Sequence, residues 1–406
     1  MRKPAGSDAD GRPTLQSQPP PAFGVSNGRR GLQSLRGLTY DDVTILPEKT
    51  DVRPDQVSLR SEVLRGLQAD LPVFAAPMDT VWSPRMTSSL AEAGALAPLA
   101  RDMPMHALVD TIRELKSYEL DRTRFTSAVH VDGRVPVIAS ASPFDTDKIA
   151  ALLANRDVDY VLLDSVQPYN SVVIDAVARF SKAHPHRIIV GNLATADAAL
   201  EFCAYELAGI KVGLGPGSIC TTREISGVSV PQLEAIEEVA EVAGRRGIPI
   251  IADGGIRTTG DIAKALAAGG STVMMGRLFA GTDEAPGRIE DIDGRRYKFY
   301  AGSKYTSVEI DAKTEEPGLE EFMAALESIH HRVEGVSGYT AYVGPAKALL
   351  LQIKRSLCAS LAFTGSSSID EFRGKARLIQ ISPAAVIEGR AHGLAMVTHQ
   401  NRFFKG

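Results

Sequence analysis

Short apolar runs alternate with amphipathic stretches along most of the chain. The run Leu71-Pro72-Val73-Phe74-Ala75-Ala76-Pro77-Met78-Asp79 reads as a buried strand entering a loop. Helix-compatible spacing follows over residues 84–93, then Gly94-Ala95-Leu96-Ala97-Pro98-Leu99. Helices are predicted again over residues 105–116, 146–153, 172–183, 195–205, 231–245, 260–268 and 346–357. Between them, residues 160–163, 187–190, 209–212, 249–252 and 271–275 are short apolar strands, with another over 377–381. Strands apolar on both faces belong to a parallel sheet covered by helices on each side. Many such units, with polar chemistry gathered after the strands, predict an α/β fold, a single (β/α)8 TIM barrel. A doubly wound open sheet is the competing architecture, but no glycine-rich dinucleotide fingerprint follows the first strand.

The ends of the pattern differ from its middle. Residues 1–35 are rich in Pro, Gln, Ser and Gly and read as a flexible arm, leaving residues 36–406 for the barrel. Acidic clusters and a helical stretch over 319–330 separate two candidate site segments, so residues 306–334 read as a mobile flap; an ordinary solvated helix is the plainer alternative.

Composition narrows the partners. A formal charge of -4 over 406 residues gives no electrostatic case for a nucleic-acid binder. Cys203, Cys220 and Cys358 form neither a disulfide framework nor a paired zinc pattern, which points to a reducing, cytoplasmic setting. No apolar stretch is long and clean enough to span a membrane, and the basic Met1-Arg2-Lys3 is not followed by a signal-peptide core.

The most telling segment is Gly213-Leu214-Gly215-Pro216-Gly217-Ser218-Ile219-Cys220-Thr221-Thr222-Arg223. Glycines let the main chain adopt tight geometries and approach a ligand. A cysteine displayed there is a nucleophile if its surroundings favour the thiolate; otherwise the loop is a tight structural turn. Thr222 is placed to position water, ammonia or a leaving group, or simply to satisfy a local hydrogen bond. Asp253-Gly254-Gly255 and Met275-Gly276-Arg277 resemble a phosphate cradle of backbone amides, with Arg277 adding charge or lying on the surface. Asp253 suits ribose hydroxyls or a loop cap. Asp164, just after an apolar strand, is either a polar anchor for ligand or a cap for the following turn. Glu334, in Val333-Glu334-Gly335-Val336, suits a purine N–H edge or proton transfer, an exposed loop glutamate being the plainer alternative. Cys203 fits helix packing, Cys358 lies in a helix-to-loop region with a weaker case for chemistry than Cys220, and adjacent His330 and His331 do not make a metal site.

With these residues in view, the chain resembles the inosine-monophosphate dehydrogenase and guanosine-monophosphate reductase superfamily. The resemblance rests on Gly37-Leu38-Thr39-Tyr40-Asp41-Asp42-Val43, Ala76-Pro77-Met78-Asp79, Gly191-Asn192-Leu193-Ala194-Thr195, the cysteine loop, Ala252-Asp253-Gly254-Gly255-Ile256-Arg257 and Phe279-Ala280-Gly281-Thr282-Asp283-Glu284. It implies a barrel, a purine nucleoside monophosphate, a nicotinamide cofactor and a homotetramer. It places Cys220 as the nucleophile on purine C2, Thr222 beside the departing group and Glu334 near the purine edge. Asp164 and Asn192 fall on the cofactor side. Ser218, Asp253, Gly255, Gly276, Arg277, Tyr300, Gly302, Ser303 and Lys304 fall on the substrate side. The carbonyls of Gly215, Gly217 and Cys220 become ligands for a monovalent cation, K+.

Absences favour one branch of the superfamily. Residues 99–141 are too few for the regulatory CBS-domain insertion usual in dehydrogenases, and residues 306–333 lack the adjacent Arg–Tyr pair associated with water activation. Both favour NADPH-dependent reductive deamination of GMP to IMP and ammonia. Ser303-Lys304 replaces a neutral pair in the base-contact region, which raises a modified 7-deazaguanine nucleotide as an alternative substrate. The segments Asp164-Ser165-Val166-Gln167-Pro168-Tyr169-Asn170 and Arg355-Ser356-Leu357-Cys358-Ala359-Ser360 also depart from the family pattern. An IMP dehydrogenase forming XMP with NAD is a further alternative, as is a catalytically inactive nucleotide sensor; the latter fits poorly with Cys220, Thr222 and Glu334 all being present.

Overall fold

The computed structural model describes residues 36–120, 123, 125–302 and 335–390. The expected arm (1–35) and flap (306–334) lie outside the described residues. In chain order, β1 is Val43–Ile45, β2 Ser61–Leu64, β3 Leu67–Ala69, β4 Val73–Ala75, α1 Pro84–Glu92, α2 Met105–Ser117, β5 Ile138–Ala141, α3 Thr146–Ala154 and β6 Tyr160–Asp164. There follow α4 Ser171–Ala183, β7 Ile188–Leu193, α5 Ala196–Phe202, β8 Gly209–Val212, α6 Thr222–Ser226, α7 Gln232–Gly244, β9 Ile250–Asp253, α8 Thr259–Ala267 and β10 Thr272–Met275. The alternation read from the sequence is thus present with boundaries shifted by a few residues. Side-chain caps fix several helix starts: Met86 N donates to Ser83, Val173 N to Asn170 and Asp261 N to Thr258.

Seven parallel strands lie in the order β4-β10-β9-β8-β7-β6-β5. The gap between β4 and β5 is bridged by the extended segment 95–99. Leu96 N donates to Val73 O at 3.0 Å, Ala75 N to Leu96 O at 2.9 Å, and Leu99 N to Ile138 O at 2.8 Å. This segment supplies the eighth staves of the barrel with a broken ladder, because Pro98 has no N–H to donate. The fold is therefore the expected TIM-type barrel, with no CBS insertion among the described residues.

Two apolar layers hold it together. Outside the strands, Ile149, Val177, Leu233, Ile236, Ile262 and Leu266 from the helices belong to one buried cluster. Inside, Phe74, Leu96, Ile138, Leu162, Ile189, Ile251 and Met274 form another. The β2–β3 hairpin adds Leu64 and Leu67 to this inner cluster. Gly209 makes room for the hairpin: a Cβ there would lie 2.9 Å from Leu64 Cδ2. Phe74 is fully buried in the interior. Phe74→Ala is expected to destabilise the protein by about 3–5 kcal/mol, through lost transfer energy and a cavity the closed sheet cannot collapse around. Chemical denaturation measures it; a loss below about 1 kcal/mol means that the interior is not packed as described.

After β10 come α9 Arg277–Ala280, β11 Ile289–Ile292, β12 Arg295–Ala301, β13 Ser337–Ala341, α10 Ala346–Phe363, α11 Ile369–Lys375, β14 Leu378–Gln380 and α12 Pro383–Glu388. Strands β11, β12 and β13 make a separate antiparallel sheet. The strand expected over 377–381 forms β14, but outside the barrel, antiparallel to β1. One expectation is corrected here. Cys358 is not at a helix-to-loop junction: α10 continues to Phe363, keeping Cys358 buried against the core within the helix.

Candidate active site

The carboxyl ends of the barrel strands open into one cavity of about 990 Å³. Asp164 ends β6, Asn192 lies in β7, Asp253 ends β9, and Gly213 and Gly276 directly follow β8 and β10. Cys220, Thr222, Gly215, Gly217, Ser218, Gly255, Arg277, Tyr300 and Gly302 line the same space. Residues spread over more than a hundred positions of sequence are thus brought together. Ser303, Lys304 and Glu334 lie outside the described residues. The volume is at the upper end of ordinary ligand pockets, which run to about 1,000 Å³, and admits more than a mononucleotide.

The cysteine loop is held at both ends. Gly213 adopts φ +145°, and a Cβ on it would lie 2.3 Å from the Asp253 carbonyl oxygen. Gly215 adopts φ +95°. Cys220 N donates to Gly217 O at 3.1 Å, closing a tight turn that leaves the thiol exposed. Its Sγ lies 3.3 Å from Oγ1 of Thr222, a buried residue opening α6. From the far side, Gly335 N donates to Thr221 Oγ1 at 2.6 Å and Val336 N to Ile219 O at 3.0 Å. The thiol is accessible while its backbone is tied down, a combination that suits covalent catalysis.

The candidate anion cradle lines the same cavity, its Gly254-Gly255 turn packed against Pro216 and Gly217 of the cysteine loop. At Gly255 a Cβ would come within 3.2 Å of the Tyr40 ring, and at Gly276 within 2.4 Å of the Tyr300 hydroxyl. Side chains are excluded and backbone amides stay exposed to a ligand. Arg277, the first residue of α9, is half-buried rather than a surface arginine. Burial lowers its guanidinium below the usual value, partly offset by Tyr300. Burial likewise pushes the Tyr300 hydroxyl up to about 12, against a hydrogen bond with Ser218, so at neutral pH it is protonated. Strand β12 delivers Tyr300 and Gly302. The β11–β12 hairpin was not foreseen because its strands are charged and carry no apolar run, although Asp293-Gly294 is a turn signal.

Beneath the cavity runs a buried ion network. The Lys211 ammonium lies 2.8 Å from Asp164 Oδ1 and 2.8 Å from Asp253 Oδ2, and its side chain is 5% exposed. Asn192 Nδ2 donates to Asp253 Oδ2 at 3.0 Å and to Gly213 O at 2.7 Å. Arg101 lies 3.9 Å from Asp164 Oδ2 and 3.0 Å from Asp102 Oδ1. Burial raises the Asp164 carboxyl, but Lys211 and Arg101 more than offset it and hold the group below the usual carboxylate range. Burial opposes the Lys211 charge, yet Asp164 and Asp253 hold it well above the usual lysine value. Asp164 is therefore an ion-network member at the cavity floor, and Asp253 is more than a loop cap. Reading the sequence missed Lys211; the signal was a lysine inside the apolar strand Gly209-Ile210-Lys211-Val212.

The cofactor-side candidates Asp164 and Asn192 share the cavity with Arg101 and Phe144, a charged and a planar apolar surface that suit a nicotinamide dinucleotide. Among the described residues, no group of three or more His, Cys, Asp or Glu side chains makes a metal site. The neutral carbonyls of Gly215, Gly217 and Cys220 suit a monovalent cation rather than a transition metal. No helix of the described residues is long and apolar enough to cross a membrane.

A barrel with a cysteine loop and a glycine-lined pocket at the carboxyl ends of its strands has the architecture of a TIM-barrel enzyme. Residues 37–392 match the family model of the IMP dehydrogenase / GMP reductase domain, and the chain belongs to that family. It is similar to inosine-5'-monophosphate dehydrogenase of Cryptosporidium parvum, with 31% identity over 398 residues, covering 91% of this chain and 98% of the relative. The dehydrogenase of Methanocaldococcus jannaschii is 39% identical over 293 residues, 70% of this chain and 58% of the relative. That of Halobacterium salinarum is 33% identical over 364 residues, 89% and 70%. This chain is therefore an enzyme of the family's general type, an oxidoreductase of purine metabolism acting on a purine mononucleotide with a nicotinamide dinucleotide.

Proposed function

We propose that this protein oxidises inosine monophosphate at C2, with Cys220 as nucleophile and NAD as hydride acceptor. The observation that carries the chemistry is the exposed Cys220 thiol, 3.3 Å from the Thr222 hydroxyl, opening into the cavity that holds the glycine–arginine cradle. The direction is supported by the relatives, all named as dehydrogenases, against the reduction expected from residues 306–333.

In this reading the phosphate rests on backbone amides around Gly255 and Gly276, beside the Arg277 guanidinium. Ser218 and Tyr300 complete that side, and Asp253 accepts from ribose hydroxyls. The Cys220 thiolate forms a C–S bond to C2, and a hydride leaves the same carbon with its electron pair. Asp164 and Asn192 would hold NAD, which would supply the hydride acceptor. The C2–N bond order is restored, leaving a thioimidate on the enzyme. Water then forms a C–O bond at C2 as the C–S bond breaks, losing its proton to solvent and returning the sulfur as thiolate. Thr222 lies close enough to the sulfur to orient that water. Glu334 is assigned to the purine N–H edge, and Gly302, Ser303 and Lys304 to the base. A potassium ion on the Gly215, Gly217 and Cys220 carbonyls would stiffen the loop, and a homotetramer is the expected assembly.

A second reading keeps the same sulfur chemistry and reverses the electron flow. The absence of an Arg–Tyr pair in residues 306–333 favours NADPH-dependent reductive deamination of GMP, and Ser303-Lys304 favours a polar 7-deazaguanine nucleotide. The test is anaerobic turnover of IMP with NAD, GMP with NADPH, and a 7-deazaguanine monophosphate with NADPH, with products identified by mass. NADH and xanthosine monophosphate support the proposal. NADPH oxidation with ammonia release in either other arm replaces it with the second reading. Tight nucleotide binding without turnover or adduct in any arm leaves a sensor.

A further inference from the structure

We propose that Lys211 is a positioning residue that binds Asp164 and Asp253 into one rigid unit and so fixes cofactor relative to substrate. The inference rests on the reading above for the sides that the two carboxylates serve. Asp164 ends β6 and Asp253 ends β9, strands separated in the sheet by β7 and β8. Lys211 projects from β8 and reaches both carboxylates at 2.8 Å. Its path past β7 is cleared by glycine: a Cβ on Gly191 would lie 2.4 Å from Lys211 Cβ and 2.7 Å from Lys211 O. No apolar purpose explains a lysine at this depth, and burying an ammonium is costly unless it is paired.

The charges around it make the arrangement consequential. Without the ammonium, two partly buried carboxylates would face each other within twice a salt-bridge distance. Asp164 would keep only Arg101 at 3.9 Å, itself shared with Asp102 and influenced by Asp79. Asp253 would keep the Asn192 amide. Tyr40 and Tyr300 are the other titratable groups that feel Asp253. One carboxylate would take a proton or swing away, and the two sides of the cavity would lose their common reference.

Lys211→Met, which keeps the stem and removes the charge, tests this. Titration calorimetry with inosine monophosphate and, separately, with NAD is expected to show both affinities falling about 10- to 100-fold at neutral pH, the loss typical when groups that orient ligand-binding residues are removed. Asp164 is ionised well below neutral pH while Lys211 is present; without it burial prevails and the carboxyl rises. The acid limb of kcat/KM therefore moves to higher pH in Lys211→Met, and this shift is absent from Asp164→Asn/Lys211→Met, which loses more activity than Asp164→Asn alone because Asp253 is released as well. Lys211→Arg restores the cation and is expected to recover part of both affinities, which keeps the question answerable if the methionine variant folds poorly. Unchanged affinities and an unmoved pH profile in folded Lys211→Met overturn the proposal. So does equal impairment of the arginine and methionine variants in proportion to lost thermal stability. The binding arms decide the role of Lys211 even if wild-type protein turns over neither inosine nor guanosine nucleotide, a result that sinks the proposed reaction separately.

Discussion

Cys220→Ala is expected to lower turnover about 10⁴-fold or more while leaving nucleotide affinity within about threefold of wild type. In the proposed reaction sulfur is the atom that bonds to C2, so its removal deletes the covalent route rather than weakening a contact. The proposed phosphate contacts of Gly255, Gly276 and Arg277 line the same cavity and do not use the thiol. Rapid-quench kinetics and mass spectrometry of the intact protein measure both halves of the claim: a nucleotide adduct in wild type and none in the variant. Residual activity above about one per cent of wild type would mean that the reaction does not pass through this sulfur. Cys220→Ser, which keeps a hydroxyl of higher pKa, should be nearly as impaired at neutral pH, because a serine without a neighbouring base is a poor nucleophile.

Gly213→Ala should be the most damaging single-methyl change at the site, with an expected stability loss of about 3 kcal/mol or more. Two costs combine. The φ of +145° is one that L side chains rarely adopt, and the new Cβ would lie 2.3 Å from Asp253 O and 2.8 Å from Gln232 Oε1. Gln232 cannot simply move, since its Nε2 donates to Val212 O at 3.1 Å and to Asp253 O at 3.2 Å, lacing β8 to β9. Relief would come from displacing the end of β9, which carries Asp253 and leads to Gly255. The variant should therefore lose nucleotide affinity at least about tenfold as well as unfolding at lower denaturant, the backbone strain being shared between fold and site. Calorimetry and denaturation together check it. Wild-type affinity in a merely destabilised variant would show that the cysteine loop and the cradle are not mechanically linked.

These two residues also show how unevenly the site could be read beforehand. Cys220 and the glycines around it stand out because cysteine is scarce in this chain and glycines crowd one short loop. Gly255, Gly276 and Arg277 follow apolar strands, where barrel chemistry collects. Lys211 did not stand out, since its partners come from other strands and a lone lysine in an apolar run carries no local pattern. Tyr300 was placed only by resemblance: its strand is polar, and its position beside Gly276 follows from a hairpin folding back over the barrel mouth. The segment 95–99 follows a predicted helix with no element assigned to it, yet its hydrogen bonds to Val73, Ala75 and Ile138 join β4 to β5.

The sequence by itself determined the strand–helix alternation over most of the barrel, the barrel class and the loop that presents Cys220. Apolar period, glycine placement and cysteine scarcity are local properties that survive in one dimension. Tertiary structure alone decided how the sheet closes, which face Tyr300 meets and why a lysine belongs in a barrel interior. Hydrogen-bond closure and the pairing of buried charges depend on groups far apart in the chain, and only the folded barrel brings Lys211 to both carboxylates at once.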